Sequence, residues 1–173
     1  MTAVVTVVGN PRSGSRTRAL ADAVVDELGA RVPLGGRQVL ELGAVVGVTF
    51  GPEPAVATGP VADPFAVVRA ARLLVVATPT YKGTYTGLLK VFLDRFGHRE
   101  LAGAVALPVA VAASEAHRQS VGAALVDVLG ELGAAVPAPP LAVLEPEAAD
   151  PAKAAAGWVS HHGQPLVAAL GGV

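Results

Sequence analysis

The chain has 173 residues, enough for one packed domain and too few for two of full size. Its 13 Lys and Arg against 14 Asp and Glu leave a net charge of −1, without the basic excess that neutralises a nucleic-acid backbone. Hydrophobic residues make up 52% and charged residues 16%, which favours a folded chain over a disordered one; the absence of Cys excludes disulfides, thiolate nucleophiles and Cys-ligated metals, so any redox chemistry must come from a cofactor. No apolar run approaches the roughly 20 residues of a bilayer span, and the opening MTAVVTVVGNPR lacks the basic start of a signal peptide. The expectation is a soluble cytoplasmic protein with neither a membrane nor a nucleic-acid partner.

Ala3 to Val8 is a β-branched, nearly continuous apolar run, as expected of a strand buried on both faces of a parallel sheet. A turn-rich segment, Gly9 to Ser15, precedes a helical pattern from Arg16 in which Leu20, Ala21, Val24, Val25 and Leu28 share a stripe and Gly29 is the expected cap. Gln38 to Leu42 reads as the second strand. Asp63 and Pro64 are suited to start a short helix over Phe65 to Ala71. Leu73 to Thr78 reads as the third strand, ending at Pro79, and Thr84 to Phe96 as a helix with Leu88, Leu89, Phe92, Leu93 and Phe96 on one stripe. Ala104 to Ala112 reads as the fourth strand despite Pro108, a residue ordinarily confined to edges or bulges.

Val121, Ala124, Leu125, Val128 and Leu132 keep helical spacing, Leu141 to Leu144 reads as a fifth strand, and a last helix is expected from about Ala152 to Leu170. Gly47 to Pro64 and Pro137 to Pro151 are rich in Pro and Gly and read as surface loops within a single domain spanning residues 1–173. Strands alternating with helices imply an open parallel α/β sheet with right-handed crossovers.

Such sheets bind ligands beyond the carboxyl ends of their strands. The loop after the first strand, Gly9-Asn10-Pro11-Arg12-Ser13-Gly14-Ser15-Arg16-Thr17, runs directly into a helix, whose unpaired N–H groups and positive dipole end suit a phosphate. Gly9 and Gly14 have the spacing of a nucleotide-binding P-loop, but Ser15 and Arg16 stand where that motif needs Lys and a Mg²⁺-binding hydroxyl. The dinucleotide fingerprint fails as well, because its second glycine falls at Pro11. Two readings stay open: a hydroxyl-rich cradle for a terminal phosphate, or a Ser-capped helix with ordinary turn residues.

The loop after the third strand, Pro79-Thr80-Tyr81-Lys82-Gly83-Thr84-Tyr85-Thr86-Gly87, contains the chain's only two tyrosines. Pro, Gly and Thr let backbone amides approach a flat heteroaromatic edge, and Tyr offers a stacking face and a hydroxyl. Either tyrosine taken singly reads better as packing against the following helix.

Together these loops resemble the flavodoxin-like NADPH-dependent FMN reductases, particularly the reductases of two-component alkanesulfonate monooxygenase systems. Gly9, Arg12, Ser15, Thr17 and Leu20 match that family's G-S-x-R-x-x-S-x-N/T-x-x-L signature, with Asn10 in place of Ser. Pro79, Tyr81, Tyr85, Gly87, Leu88 or Leu89, Lys90 and Asp94 follow its P-x-Y-x-x-x-Y-x-G-x-L-K-x-x-x-D segment. Leu101, Gly103, Leu107, Pro108 and His117 match a third stretch, in which Ala112 and Ala113 replace paired glycines and Ala104 a Lys.

The resemblance implies a five-stranded doubly wound sheet of order 2-1-3-4-5 with helices on both faces. It implies that Arg12, Ser15 and Thr17 hold the FMN phosphate, with Asn10 in the same loop and the amides of Gly14 and Arg16 assisting. Pro79, Thr80, Tyr81, Lys82 and Gly83 would line the isoalloxazine edge, and Ser114, Glu115 and His117 would close the far side. NADPH or NADH would supply hydride, reduced FMN could serve a partner monooxygenase, and the protein would form a homodimer or homotetramer. A quinone, azo-compound or chromate reductase and a non-enzymatic FMN electron carrier are the competing readings on the same scaffold.

Other conspicuous residues read as structural. His161 and His162, adjacent on a helix and so about 100° apart, are not expected to bind metal. Asp22, Asp26 and Glu27 read as a solvated helix face, Lys90 and Asp94 as a surface ion pair, and Trp158 as a packing residue of the C-terminal helix.

Overall fold

The computed structural model describes residues 2–45 and 63–171. Five parallel strands, β1 (Thr2–Val8), β2 (Leu34–Glu41), β3 (Leu73–Pro79), β4 (Val105–Ala112) and β5 (Leu141–Leu144), lie in the order β2-β1-β3-β4-β5. The chain winds outward from β1 to β2 and then in the opposite direction through β3, β4 and β5. This creates a switch point between β1 and β3, the flavodoxin-like arrangement expected from the sequence. The helices are α1 (Arg16–Gly29), α2 (Leu42–Val45), α3 (Pro64–Arg69), α4 (Gly87–Leu93), α5 (Glu115–Glu131), α6 (Pro151–His162) and α7 (Gln164–Gly171), with a 3₁₀ turn at Glu147–Ala149.

Alternation along the central strands divides the core into two layers. Val4, Leu73, Val75, Leu107 and Val109 face a cluster with Leu20, Val24 and Leu28 of α1, Val159 of α6 and Leu166 of α7. Val5, Val7, Leu74, Val76, Ala106 and Ala110 face the other, with Leu89 and Phe92 of α4 and Val121 and Leu125 of α5. Phe65, Phe92 and Phe96 form an aromatic knot, with ring centroids 5.0–5.7 Å apart, that fastens α3 to α4.

Pro108 lies in the interior strand β4, not at an edge, and hydrogen-bond alternation explains why it is tolerated. Val105 donates to Arg72 on the β3 side, whereas Ala106 donates to Ala135 on the opposite side, so the nitrogen of Pro108 also faces away from β3. Pairing with β5 begins only at Val109 with Leu141, so Pro108 falls in the gap between Ala135 and β5, where no donor is required.

Several boundaries differ from the sequence reading. Strand β2 begins at Leu34, four residues early, and accommodates Gly35 and Gly36 through a register shift against β1; Leu42 opens α2 instead of ending the strand. Helix α1 includes Gly29 and is capped by Ala30. Helix α4 covers only Gly87–Leu93, because the Oγ1 of Thr86 caps it by accepting the Leu89 N–H. The single last helix is two: a break at Gly163 precedes Pro165, which lacks the N–H that continuation would need. Of the loop expected at Gly47 to Pro64, all but Asp63 and Pro64 lies outside the described residues; those two cap and begin α3.

Candidate functional site

The carboxyl ends of β1, β3, β4 and β5 converge on a cleft of about 400 Å³. One wall is the loop between β1 and α1, represented by Asn10, Arg12, Ser13, Gly14, Ser15, Arg16 and Thr17; the other is Pro79, Thr80 and Tyr81, with Val111 and Glu145 completing the lining. Nine residues singled out in the sequence therefore share one cleft.

The first wall is shaped by local hydrogen bonds. The Oδ1 of Asn10 accepts the Arg12 N–H at 2.9 Å, turning the chain over Pro11. Ser15 caps α1, its Oγ accepting the Arg18 N–H at 3.3 Å, so the hydroxyl expected at the phosphate also fixes the helix start. Thr17 is buried and Arg16 exposed; the Arg16 guanidinium donates to the Glu145 carbonyl at 3.3 Å and lies 3.9 Å from its carboxylate. Gly14 has φ +64°, a conformation glycine adopts without strain, and its N–H donates to Glu41 Oε1 at 3.0 Å.

The second wall is held against β4. Thr80 donates through both its N–H (2.9 Å) and its Oγ1 (3.1 Å) to the Val111 carbonyl. Tyr81 and Thr84 form an antiparallel bridge across a two-residue turn at Lys82 (φ +54°) and Gly83 (φ +87°), with positive φ at both central positions. Tyr81 is 45% exposed and available to a ligand face, whereas Tyr85 packs against the core on the α4 side. The two tyrosines thus part company: one lines the cleft and the other packs.

Thr86 joins the walls. It is buried, its Oγ1 donates to the Gly9 carbonyl at 2.6 Å, and its N–H donates to Thr78 Oγ1 at 3.2 Å.

Lys82, Gly83, Ser114, Glu115 and His117 lie outside the cleft lining. Gly83 and His117 nevertheless adjoin, since a Cβ on Gly83 would sit 3.9 Å from the imidazole, and Ser120 Oγ donates to the Gly83 carbonyl at 2.7 Å. Ser114 Oγ caps α5 by accepting the His117 N–H. The Glu115 carboxylate accepts from Arg118 and Gln119, and these hydrogen bonds hold its pKa below the usual carboxylate value. Sequence reasoning missed Ser13, Val111, Glu145, Glu41 and Thr86. Glu145 follows the end of β5 and Glu41 is the last residue of β2, so the strand-end rule would have placed both beside the cleft.

A sequence model described as NADPH-dependent FMN reductase matches residues 2–148. The chain belongs to the NADPH-dependent FMN reductase family. The chemistry of these FMN reductases pairs FMN with a reduced nicotinamide dinucleotide. Among its relatives, the FMN reductase (NADPH) of Escherichia coli K12 is 36% identical over 135 residues, 76% of this chain and 67% of that one. The FMN reductase (NADPH) of Pseudomonas aeruginosa is 34% identical over 117 residues, which is 61% of its length. The NADH-dependent FMN reductase SfnF of Pseudomonas putida is 31% identical over 115 residues. Among solved structures, the apo form of an NADH:FMN oxidoreductase superposes with a TM-score of 0.71 at 26% identity, covering 93% of this chain and 88% of that one.

Outside the cleft, His161 Nδ1 lies 2.7 Å from the Gly157 carbonyl. Among the described residues, no three His, Asp or Glu side chains converge as a metal site would require. Trp158 is buried between α6 and the sheet. Lys90 and Asp94 pair at 2.5 Å, and Asp22 and Asp26 pair with Arg18 and Arg37. No helix among the described residues is long and apolar enough to cross a membrane.

Proposed function

We propose that this chain binds FMN in the cleft at the strand ends and promotes its reduction by NADPH or NADH. The observation carrying this reading is the meeting, at one switch point, of a helix N-terminus dense in hydroxyl and guanidinium groups with a Pro-Thr-Tyr wall. The donor set fits a phosphate dianion: Ser15 and Thr17 hydroxyls, Arg12 and Arg16 guanidinium groups, and the first turn of a 14-residue helix. Asn10 sets the turn and the Arg16 amide contributes a donor, while the Gly14 N–H, the other amide expected to assist, is engaged by Glu41 and shapes the loop instead. Pro79 to Gly83 would border the isoalloxazine, and Ser114, Glu115 and His117, which lie outside the cleft lining, would close its far side.

Bound FMN supplies a hydride acceptor at N5. The chain holds the phosphate, orients the ring against the Tyr81 wall and limits solvent access, and no side chain needs to act as nucleophile or general base. Residues 1–173 act as one domain, assembled as a homodimer or homotetramer, in the cytoplasm. The resemblance of its loops to the reductases of two-component systems supports the further reading that reduced FMN passes to a flavin-dependent monooxygenase, and the NADH-dependent FMN reductases SfnF and SfnE among its relatives support NADH as an alternative hydride donor.

The test is oxidation of NADPH or NADH followed at 340 nm under air with free FMN. Rapid oxidation that depends on added FMN supports the reading; oxidation that responds to a quinone but not to added FMN refutes it. FMN should bind more tightly than FAD, because the helix-terminal cradle serves a terminal phosphate, and tighter FAD binding refutes the phosphate assignment. A light-scattering mass near 17.3 kDa at micromolar concentration refutes assembly.

A further inference from the structure

The β1–α1 loop is clasped from outside the cleft by the turn that ends β2. Glu41, the last residue of β2, places Oε1 3.0 Å from the Gly14 nitrogen. Its other oxygen is 3.7 Å from Arg18 Nη1, and Arg18 Nε is 2.6 Å from Asp22. Two residues on, Gly43 meets the same loop at Pro11: a Cβ at Gly43 would lie 2.5 Å from the Pro11 carbonyl oxygen and 2.9 Å from its carbon. The β2–α2 junction therefore touches the loop at two points, once by hydrogen bond and once by close backbone approach.

These contacts have a directional consequence. An N–H donates one good hydrogen bond, so while Gly14 donates to Glu41 it does not serve a phosphate, and its peptide plane is fixed by the carboxylate. The Arg18 guanidinium, shared with Asp22, lies 3.7 Å from Glu41 and moderates the charge of this carboxylate beside the loop. Gly14 at φ +64° leads directly into Ser15, whose hydroxyl caps α1, so the angle at which Ser15, Arg16 and Thr17 reach the cleft depends on the Gly14 peptide.

We propose that Glu41 is a positioning residue for FMN, acting with Gly43 to hold the β1–α1 loop in its phosphate-receptive shape. It touches the loop and not the ligand. This rests on the FMN reading of the cleft and adds to it a determinant that acts on the phosphate alone. On that reading the isoalloxazine would meet the other wall, Pro79 to Tyr81, which Thr80 fixes to the Val111 carbonyl with no contact to Glu41.

The test is fluorescence titration of the full chain with FMN and with riboflavin, which keeps the ring and lacks the phosphate. Glu41→Ala should raise the FMN Kd about tenfold, the scale of one charge-assisted hydrogen bond, and leave the riboflavin Kd within about twofold. Glu41→Gln keeps an acceptor for the Gly14 N–H and should restore FMN binding to within about threefold of wild type. Gly43→Ala, which drives a methyl into Pro11, should likewise weaken FMN and spare riboflavin. Glu41→Ala binding FMN as wild type, binding it more tightly, or losing FMN and riboflavin in parallel overturns the proposal. A wild-type chain that takes up neither ligand overturns the cofactor reading itself, before any variant is compared.

Discussion

Thr86→Val tests whether the two walls of the cleft are tied through one hydroxyl. Valine has nearly the shape of threonine, so the substitution removes hydrogen bonds while leaving little cavity at this buried position. Two bonds go. The α4 cap is lost as the Leu89 N–H loses its acceptor, worth about 1 kcal/mol. The Gly9 carbonyl loses the donor 2.6 Å away, and an unsatisfied buried carbonyl costs about 1–3 kcal/mol. The expected destabilisation is therefore about 2–4 kcal/mol. Thr86→Ser keeps the hydroxyl and removes one methyl, for which about 1 kcal/mol is expected. Urea titration followed by far-UV circular dichroism and by the fluorescence of the single Trp158 gives both values, and coincident transitions license the two-state reading. A Thr86→Val protein within about 0.5 kcal/mol of wild type, or no less stable than Thr86→Ser, refutes the tie.

Ser15→Ala and Thr17→Ala should each raise the FMN KM about ten- to a hundredfold with kcat nearly unchanged, since a phosphate contact far from N5 contributes equally before and during hydride transfer; steady-state kinetics at varied FMN checks this. His117→Ala, and the double substitution of His161 and His162, should retain most of kcat, and a thousandfold fall in a variant that still binds FMN would reveal a side chain engaged in the chemistry. Because hydrogen bonds from Arg118 and Gln119 lower the Glu115 pKa, its contribution to stability is complete above the usual carboxylate range and is lost as pH falls through the depressed folded value. Glu115→Gln should therefore narrow the gap in melting temperature between pH 7 and pH 3, as measured by thermal denaturation.

The parallel sheet was legible because β1, β3 and β4 are buried on both faces, and burial on both faces leaves continuous apolar runs. The cleft was legible for a related reason: loops after such strands are where ligands bind, and Gly9 to Thr17 and Pro79 to Tyr81 stand out in composition. The early start of β2 was not, since Gly35 and Gly36 resemble a turn and are kept in the strand by pairing with β1. Nor was the start of α4, where three threonines compete and only Thr86 reaches both Leu89 and Gly9. The strand-end rule reaches Glu41 and Glu145 but not their contacts, whose partners are distant in sequence: Gly14 is 27 residues from Glu41, and Arg16 is 129 from Glu145. Pattern along a chain reports burial and local turns, whereas these contacts exist only once the strand order is set.

Helix α1 packs against α6, from the opposite end of the described chain, and together with α7 they cover one face of the sheet. During synthesis Leu20, Val24 and Leu28 leave the ribosome long before Trp158, Val159 and Leu166 exist to cover them. The loop after β1 is thus made well before the helices that seat α1, so the helix it launches has no settled cover until α6 and α7 have been translated. Nascent chains of this protein should depend on holding factors over that interval, and lesions in α6 or α7 should lower yield while leaving the affinity of the surviving molecules intact.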